Sequence, residues 1–438
     1  MRTTFFYRLL SVLPFLLFLT QTSLGQSQHC LANRYSQDAL FDSTDIQITT
    51  SVHFATSMRW PSTVMDSLRM DVYMPNPNID PLEKRPLIVM IHGGAFLAGN
   101  RNDMALYSME MARRGFVTAT ISYRLGWDCP AQDFLGVCTQ CQDWPDLANF
   151  RVAMYRGSQD TRAALRYLTS FANDYGIDTS AVFLQGESAG SINALHTAFL
   201  EQSEADAWCT DCVTEVGLLD TTGNSFGPMP NIKGVVNNCG AVGLISMVQP
   251  GSNIPVIGFH DDNDIIVPYG YGQFVNCLIG GNGSNSIRVT LQNDGVCTQM
   301  NTVVHLPFPF DVPAHCSYPR NAVIGKASCF LKDILCNDCS SSTTTQIWNV
   351  PDCSAGGFVS IEENQQKDWV NLNGNRLQFN ANSQVNSVQV YDISMRLLVE
   401  IPVNGSSEVQ LPTSLRGCMF VKIDAKNHAT EMLKWCNF

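Results

Sequence analysis

Residues 181–200 read AVFLQGESAGSINALHTAFL. The run Ala181–Gln185 predicts a buried strand, Gly186-Glu187-Ser188-Ala189-Gly190 a turn, and Ile192–Leu200 has helical spacing. A hydroxyl nucleophile at a strand-to-helix turn needs a tight backbone. Glycines two residues to either side leave room for that turn and for close strand–helix packing. The turn lifts the Ser188 hydroxyl above a sheet, and the helix N-terminus behind it favours developing negative charge. An isolated G-x-S-x-G recurs by chance as a Gly-rich turn. Its place between strand and helix makes Ser188 the candidate nucleophile.

Working outward, Leu68–Met74, Leu87–Ile91 and Phe116–Ser122 read as strands, and Met104–Arg114 as a helix stopped by Gly115. Ser158–Tyr175 and Ala322–Leu335 read as helices, Pro255–His260 and Thr302–Leu306 as further strands. Short apolar strands alternating with helices predict a doubly wound α/β layout with a mostly parallel sheet. The strand Leu87–Ile91 runs into His92-Gly93-Gly94-Ala95-Phe96. Small residues there let backbone N–H groups approach a developing oxyanion, so Gly94, Ala95 and Ala189 are the expected donors. His92 and Gly93 are expected to support that loop.

The segments I-H-G-G-A-F at 91–96 and G-E-S-A-G at 186–190, with D-V-Y-M-P at 71–75 and S-Y-R-L at 122–125, make the chain similar to α/β-hydrolases of the carboxylesterase type over roughly residues 35 to 335. The resemblance implies ester hydrolysis through an acyl-enzyme, with no metal or organic cofactor. It also implies a triad ordered Ser, acid, His along the chain. The domain is well short of the large eukaryotic-style carboxylesterases, so their deep gorge is not expected here. His260–Pro268 resembles the family's H-G-x-x-D-x-x-V-P segment, which puts the acid at Asp264; Asp261 and Asp262 remain as substitutes, and His260 is expected to be structural. His315, in the loop Phe310–Tyr318, is the expected base, although Ala314 stands where the family usually has Gly and Cys316 follows. His305, inside the strand-like run, is its rival; His196 and His428 are not expected to act. An extracellular peptidase of the same fold and a catalytically silent binding protein are the competing functions.

Twenty-seven Lys and Arg stand against 39 Asp and Glu in 438 residues, a net charge of −12. A chain this acidic is not expected to bind nucleic acid, which requires a basic face. Arg2 and Arg8, an apolar stretch from Leu9 to Leu19 and small residues before Gln26 predict a secretory signal over residues 1–25. No transmembrane helix is expected in the mature chain. Export makes disulfides the preferred reading of the 16 cysteines, including Cys138/Cys141, Cys209/Cys212 and Cys336/Cys339, over zinc or redox pairs. Between Gly126 and Tyr155 lie Trp127, Phe134, Trp144, Phe150 and Cys138/Cys141. This stretch is either a wall of the acyl pocket or a disulfide-pinned loop without substrate contact.

The catalytic domain is expected over residues 26–339, a linker with Ser340–Thr345 and Ser354–Gly357 over 340–357, and a small all-β sandwich over 358–438. The sandwich carries strand runs Val385–Tyr391, Leu397–Pro402 and Cys418–Ile423. It resembles the C-terminal sorting domain of the bacterial type IX secretion system, with Cys418 in place of a bulkier residue and Cys436 unusual for that family; a carbohydrate-binding sandwich is the rival. The resemblance implies a secreted or cell-surface protein that meets the secretion machinery. Its substrate partner would be a small-molecule or polymer-borne ester.

Overall fold

The computed structural model describes residues 29–30, 34–127, 147–248, 251–276, 279–305, 314–345, 370–373, 375–380, 384–391, 397–403, 405–415, 417–426 and 431–437. The chain divides between Gly356 and Gly357 into two units. In the first, strands β1 (Ile46–Met58), β2 (Met65–Pro75) and β3 (Arg85–Ile91) lead through helix α1 (Ala105–Arg113) to β4 (Val117–Ile121). Helix α2 (Leu147–Ser170), β5 (Ile177–Glu187), α3 (Ala189–Phe199), α4 (Gln202–Trp208), α5 (Cys212–Val216) and β6 (Ile232–Asn238) follow. The short β7 (Ala241–Val242), β8 (Val256–Asp261), β9 (Tyr271–Gln273), β10 (Gly280–Gly283), α6 (Ser284–Asn293), β11 (Thr298–Val303), α7 (Arg320–Leu335) and β12 (Ser342–Thr345) complete the unit.

Among the described residues the main sheet has the order β1-β2-β4-β3-β5-β6-β8-β11-β12. Only β2 runs against its neighbours; every pairing from β4 to β12 is parallel. This is the doubly wound sheet of an α/β-hydrolase, as expected. Strands β3 and β4 are buried along their whole length, because helices cover both faces. The strand order reverses between β3 and β5, and in such sheets the crevice at the carboxyl ends of those strands takes the ligand. Register keeps these ends level. Ile91 pairs with Gly186, Glu187 with Asn238, Asn238 with Phe259, and Asp261 with Val303. The loops leaving β3, β5, β6, β8 and β11 therefore emerge along one edge.

Two glycines let this edge close up. A Cβ on Gly190 would fall on the carbonyls of Ile91 and His92, and one on Gly186 would fall on the Gly190 carbonyl. The first turn of α3 thus rests directly on the end of β3.

Several elements differ from the sequence reading. Helix α2 begins at Leu147 rather than Ser158 and ends at Ser170 rather than Tyr175. Its buried face carries Arg156, Gln159 and Asp160, and Arg124 pairs with Asp160 at 2.8 Å, so polar residues interrupt the expected apolar period. Strand β11 stops at Val303, leaving His305 outside it. Ser342–Thr345, expected as linker, is instead the edge strand β12, paired in parallel with β11; its three threonines are β-branched and suit an exposed edge. Strand β1 was not read because its exposed positions break the apolar alternation.

In the second unit, β13 (Val370–Asn373), β14 (Arg376–Phe379) and β17 (Glu408–Gln410) form one antiparallel sheet. Strands β15 (Val385–Tyr391), β16 (Leu397–Pro402), β18 (Gly417–Ala425) and β19 (Glu431–Asn437) form another. Leu377, Phe379 and Val409 of the first share an apolar cluster with Val388, Val390, Val421 and Ile423 of the second, which makes a small β-sandwich. No helix among the described residues of the chain is long and apolar enough to cross a membrane.

Gly190→Ala should lower unfolding free energy by about 1–3 kcal/mol, since the added methyl meets backbone that cannot rotate away. Gly227→Ala, whose methyl would meet only the Ser170 hydroxyl at 3.8 Å, should stay within about 0.5 kcal/mol of wild type. Urea midpoints of the two variants check this.

Candidate active site

Ser188 caps the N-terminus of α3 with φ 54° and ψ −120°, a conformation rare for a residue with a side chain. It costs of the order of 1–3 kcal/mol and persists because its surroundings over-determine it. The Ser188 N–H donates to the Asn238 carbonyl at the end of β6 (2.9 Å), and its carbonyl accepts from Ser191 (2.9 Å) and Ile192 (3.0 Å). With the backbone so held, the hydroxyl stands above the carboxyl edge and donates to His315 Nε2 at 2.9 Å. His315 Nδ1–H in turn donates to Asp264 Oδ2 at 2.7 Å. Since Nε2 accepts from Ser188, the proton of the neutral ring belongs on Nδ1. The structure thus brings together the serine, histidine and aspartate singled out in the sequence.

Asp264 lies in the turn after β8 and its side chain is fully buried. Burial alone would raise its pKa, but hydrogen bonds from His260 and His315 outweigh it and hold the carboxyl down at about 2. The N–H groups of Ile266 (2.8 Å) and Val267 (3.0 Å) occupy its Oδ1. His260, also buried, has Nε2 3.3 Å from Asp264 Oδ2 and 3.0 Å from the Val267 carbonyl. Its Nδ1 accepts from Ser284 (2.7 Å), which accepts from Asn237 Nδ2 (2.9 Å); Asn237 Oδ1 accepts from Ser191 (2.7 Å) and the Gly240 N–H (2.9 Å). A buried polar chain therefore joins the first turn of α3 to the aspartate. Sequence reading missed it, because Ser and Asn at loop starts look like ordinary turn residues.

The two substitute carboxylates serve other partners. Asp261 is buried and accepts from His305 Nε2 (2.8 Å), the Ser317 N–H (2.9 Å) and the Ser317 hydroxyl. Asp262 accepts from the His305 N–H at 3.0 Å. Asp262 is an exposed loop carboxylate, whereas Asp261 is buried, and together they tie the His305 and His315 loops to the end of β8. His305 is engaged with Asp261, whereas the Ser188 hydroxyl donates to His315.

On the other side of Ser188, a Cβ on Gly93 would lie 3.0 Å from the Glu187 carbonyl and 3.3 Å from Ser188 Cβ. The segment 93–96 is therefore packed against the serine turn. Gly94, Ala95 and Phe96 all have positive φ, which turns this segment sharply away from β3. His92 is buried; its Nδ1–H donates to the Gly93 carbonyl (2.7 Å) and its ring stacks on Tyr123 at 4.4 Å. Burial lowers its pKa. Tyr123 donates to the His92 carbonyl (3.0 Å), and Trp127 Nε1–H to the Ala95 carbonyl (2.9 Å). Trp127 also packs on Phe150 (4.9 Å between ring centres), which meets Phe274 (5.7 Å). Ala189 is buried at the first position of α3.

His196 is a core residue: its Nε2 accepts from the Gly243 N–H (3.0 Å), it packs against Trp208, and burial pushes its pKa down to about 3. His428, Phe134, Trp144, Cys138 and Cys141 lie outside the described residues. Disulfides join Cys30–Cys336, Cys209–Cys212, Cys239–Cys316 and Cys297–Cys339. Of the Cys-x-x-Cys pairs, Cys209/Cys212 closes on itself, whereas Cys336 and Cys339 take separate partners. Ligand atoms of Cys239, His315 and Cys316 lie within 4.8 Å of one another, but the two sulfurs are bonded together and offer no thiolate.

Residues 26–207 match the model of the Carboxylesterase family, and residues 152–265 that of BD-FAE. The chain is similar to carboxylesterases. Lipase 1 of Yarrowia lipolytica is 27% identical over 203 residues, 42% of this chain and 38% of that protein. The neuroligin-like protein glit-1 of Caenorhabditis elegans is 29% identical over 126 residues, 29% of this chain and 15% of its own. The chain spans well under half the length of either curated relative. Among solved structures, the truncated form of a carbohydrate esterase from gut microbiota aligns with a TM-score of 0.42 and 18% identity, covering 68% of this chain and 99% of that one.

The low pKa of Asp264 has a consequence for stability. Relative to an ordinary aspartate at 3.8, a folded value of about 2 contributes about 2 kcal/mol, fully present above pH 4 and lost as pH falls through 2. The stability difference between wild type and Asp264→Asn, from urea unfolding, should therefore be at its full value by pH 5 and shrink by that amount toward pH 2. A difference independent of pH would contradict it.

Proposed function

We propose that this protein is a secreted serine carboxylic ester hydrolase. The observation that carries the reading is the unbroken hydrogen-bonded chain Ser188–His315–Asp264, at 2.9 and 2.7 Å, on the carboxyl edge of the sheet. His315 Nε2 takes the Ser188 proton as Oγ attacks the ester carbonyl. Asp264 holds the ring tautomer and stabilises the imidazolium. The N–H groups of Gly94, Ala95 and Ala189 receive the oxyanion, each worth about 3 kcal/mol of transition-state stabilisation. His92 and Gly93 hold the loop that carries two of them. His315 returns its proton to the departing alcohol. Water then attacks the acyl-enzyme with the same histidine as base, releasing acid and restoring Ser188. Every proton in this cycle is moved by the imidazole.

An ester is favoured over a peptide bond by the similarity to carboxylesterases and by the two motifs at 91–96 and 186–190. The mature chain acts outside the cell, on acetyl or feruloyl groups of plant polysaccharide or on lipid esters. The aromatic group Trp127, Phe150 and Phe274 lies on the Ala95 side of the serine and supports an apolar wall for the acyl portion. Export is assigned to residues 1–25 and to the sandwich at 358–438, read as a sorting domain.

Hydrolysis of p-nitrophenyl acetate by the mature chain should fall by about 10⁴-fold or more in kcat/KM in Ser188→Ala. Equal rates for the two proteins would defeat the assignment and leave the silent binding protein. A peptidyl p-nitroanilide should be cleaved far more slowly than the ester; the reverse order would make the protein a peptidase. Rates across acetyl, butyryl, octanoyl and feruloyl esters then rank the acyl preference.

A further inference from the structure

We infer that the disulfide Cys239–Cys316 is the positioning element that holds His315 opposite Ser188. The inference rests on the serine-hydrolase reading above. Cys239 follows the last residue of β6, Asn238, whose carbonyl fixes the Ser188 N–H at 2.9 Å. The Cys239 N–H itself donates to the Phe259 carbonyl of β8 at 2.7 Å. One end of the bond is thus anchored between two inner strands, directly behind the nucleophile. The other end, Cys316, is the residue after His315, and its sulfur lies 3.5 Å from His315 Nε2. The bond spans 77 residues, so it joins two loops that lie far apart in the sequence.

Both cysteines have left-handed backbone, φ 51° at Cys239 and 53° at Cys316. Residues with a side chain rarely adopt that region, and they stay there where the surrounding structure compels it. Two such residues at the two ends of one covalent link indicate that the link sets the path of the chain on both sides. Neighbouring contacts act in the same sense: Ser317 donates to Asp261 and Tyr318 to the Cys239 sulfur (3.3 Å). These bonds hold the loop downstream of the histidine, whereas Cys316 is joined to it by a single peptide.

A general base must sit within about 2.6–3.2 Å of the proton it removes. Opening the bond lets the sulfurs retreat to non-bonded distance, roughly 1.5 Å farther apart. A displacement of about 1 Å at a catalytic group costs on the order of 100-fold in rate. Because the bond touches the base and not the acyl or alcohol portions of an ester, the loss belongs in kcat and not in KM.

The test is the Cys239→Ser/Cys316→Ser double variant of the mature chain, assayed with p-nitrophenyl acetate beside wild type and Cys209→Ser/Cys212→Ser. Expected are a fall in kcat of about 100-fold with KM within two-fold for the first variant, and wild-type kcat for the second, which removes a disulfide away from the triad. A folded Cys239→Ser/Cys316→Ser protein with wild-type kcat overturns the inference while leaving the esterase reading standing. Should that variant fail to fold, the wild-type protein is titrated with TCEP, which is oxidised to its phosphine oxide as each disulfide becomes two thiols. Thiols are mapped by alkylation and mass spectrometry while circular dichroism follows the fold. Activity falling in step with opening of Cys239–Cys316 supports the inference, and full activity with that bond open overturns it. A Ser188→Ala protein as active as wild type removes the reading on which it rests.

Discussion

The left-handed backbone of Ser188 is the constraint from which the rest of the carboxyl edge follows. A residue at φ 54° directs its N–H back toward the neighbouring strand, and the Asn238 carbonyl receives it. That bond commits β6 to lie level with β5, and the level register continues through β8 to β11. On the other flank the same turn requires α3 to start almost on top of β3, which only glycine at 186 and 190 permits. A strained residue is stable here because strands on both sides hold it, and the side chain it presents is the hydroxyl bonded to His315.

The acid side is organised by burial. An aspartate taken out of water is costly unless its charge is matched by donors. Asp264 has two backbone N–H groups on one oxygen and two imidazoles near the other. His260 belongs to a polar chain that reaches Ser191, in the same turn of helix that Ser188 caps. Ser188 and Asp264 are thus fastened to one another twice, once through His315 and once through the core. Asp261 and the Cys239–Cys316 bond fasten the histidine loop to the same strand ends.

What was legible in the sequence was whatever apolar period and glycine spacing record. The cores of β3 (Leu87–Ile91), β5 (Ala181–Leu184) and β8 (Val256–Phe259) are short apolar runs, and the glycines of the serine turn and of the loop after β3 mark places where a Cβ has no room. Asp264 and His315 were legible through the order of the triad and one family segment. The start of α2 was not, because Arg156, Gln159 and Asp160 are buried by pairing rather than by hydrophobicity. Nor was β12, whose threonines look like linker until β11 pairs with them. The roles of Asp261 and of Cys239–Cys316 depend on partners 56 and 77 residues away, a separation that no local pattern encodes.

The most direct measurement of the central claim, that Ser188 is activated by His315, is stoichiometric labelling with a fluorophosphonate followed by peptide mapping. The account predicts one adduct per chain, on the peptide containing Ser188, formed at least about 100-fold more slowly in His315→Ala. Labelling of another residue, or labelling of Ser188 at an unchanged rate in folded His315→Ala, would contradict it.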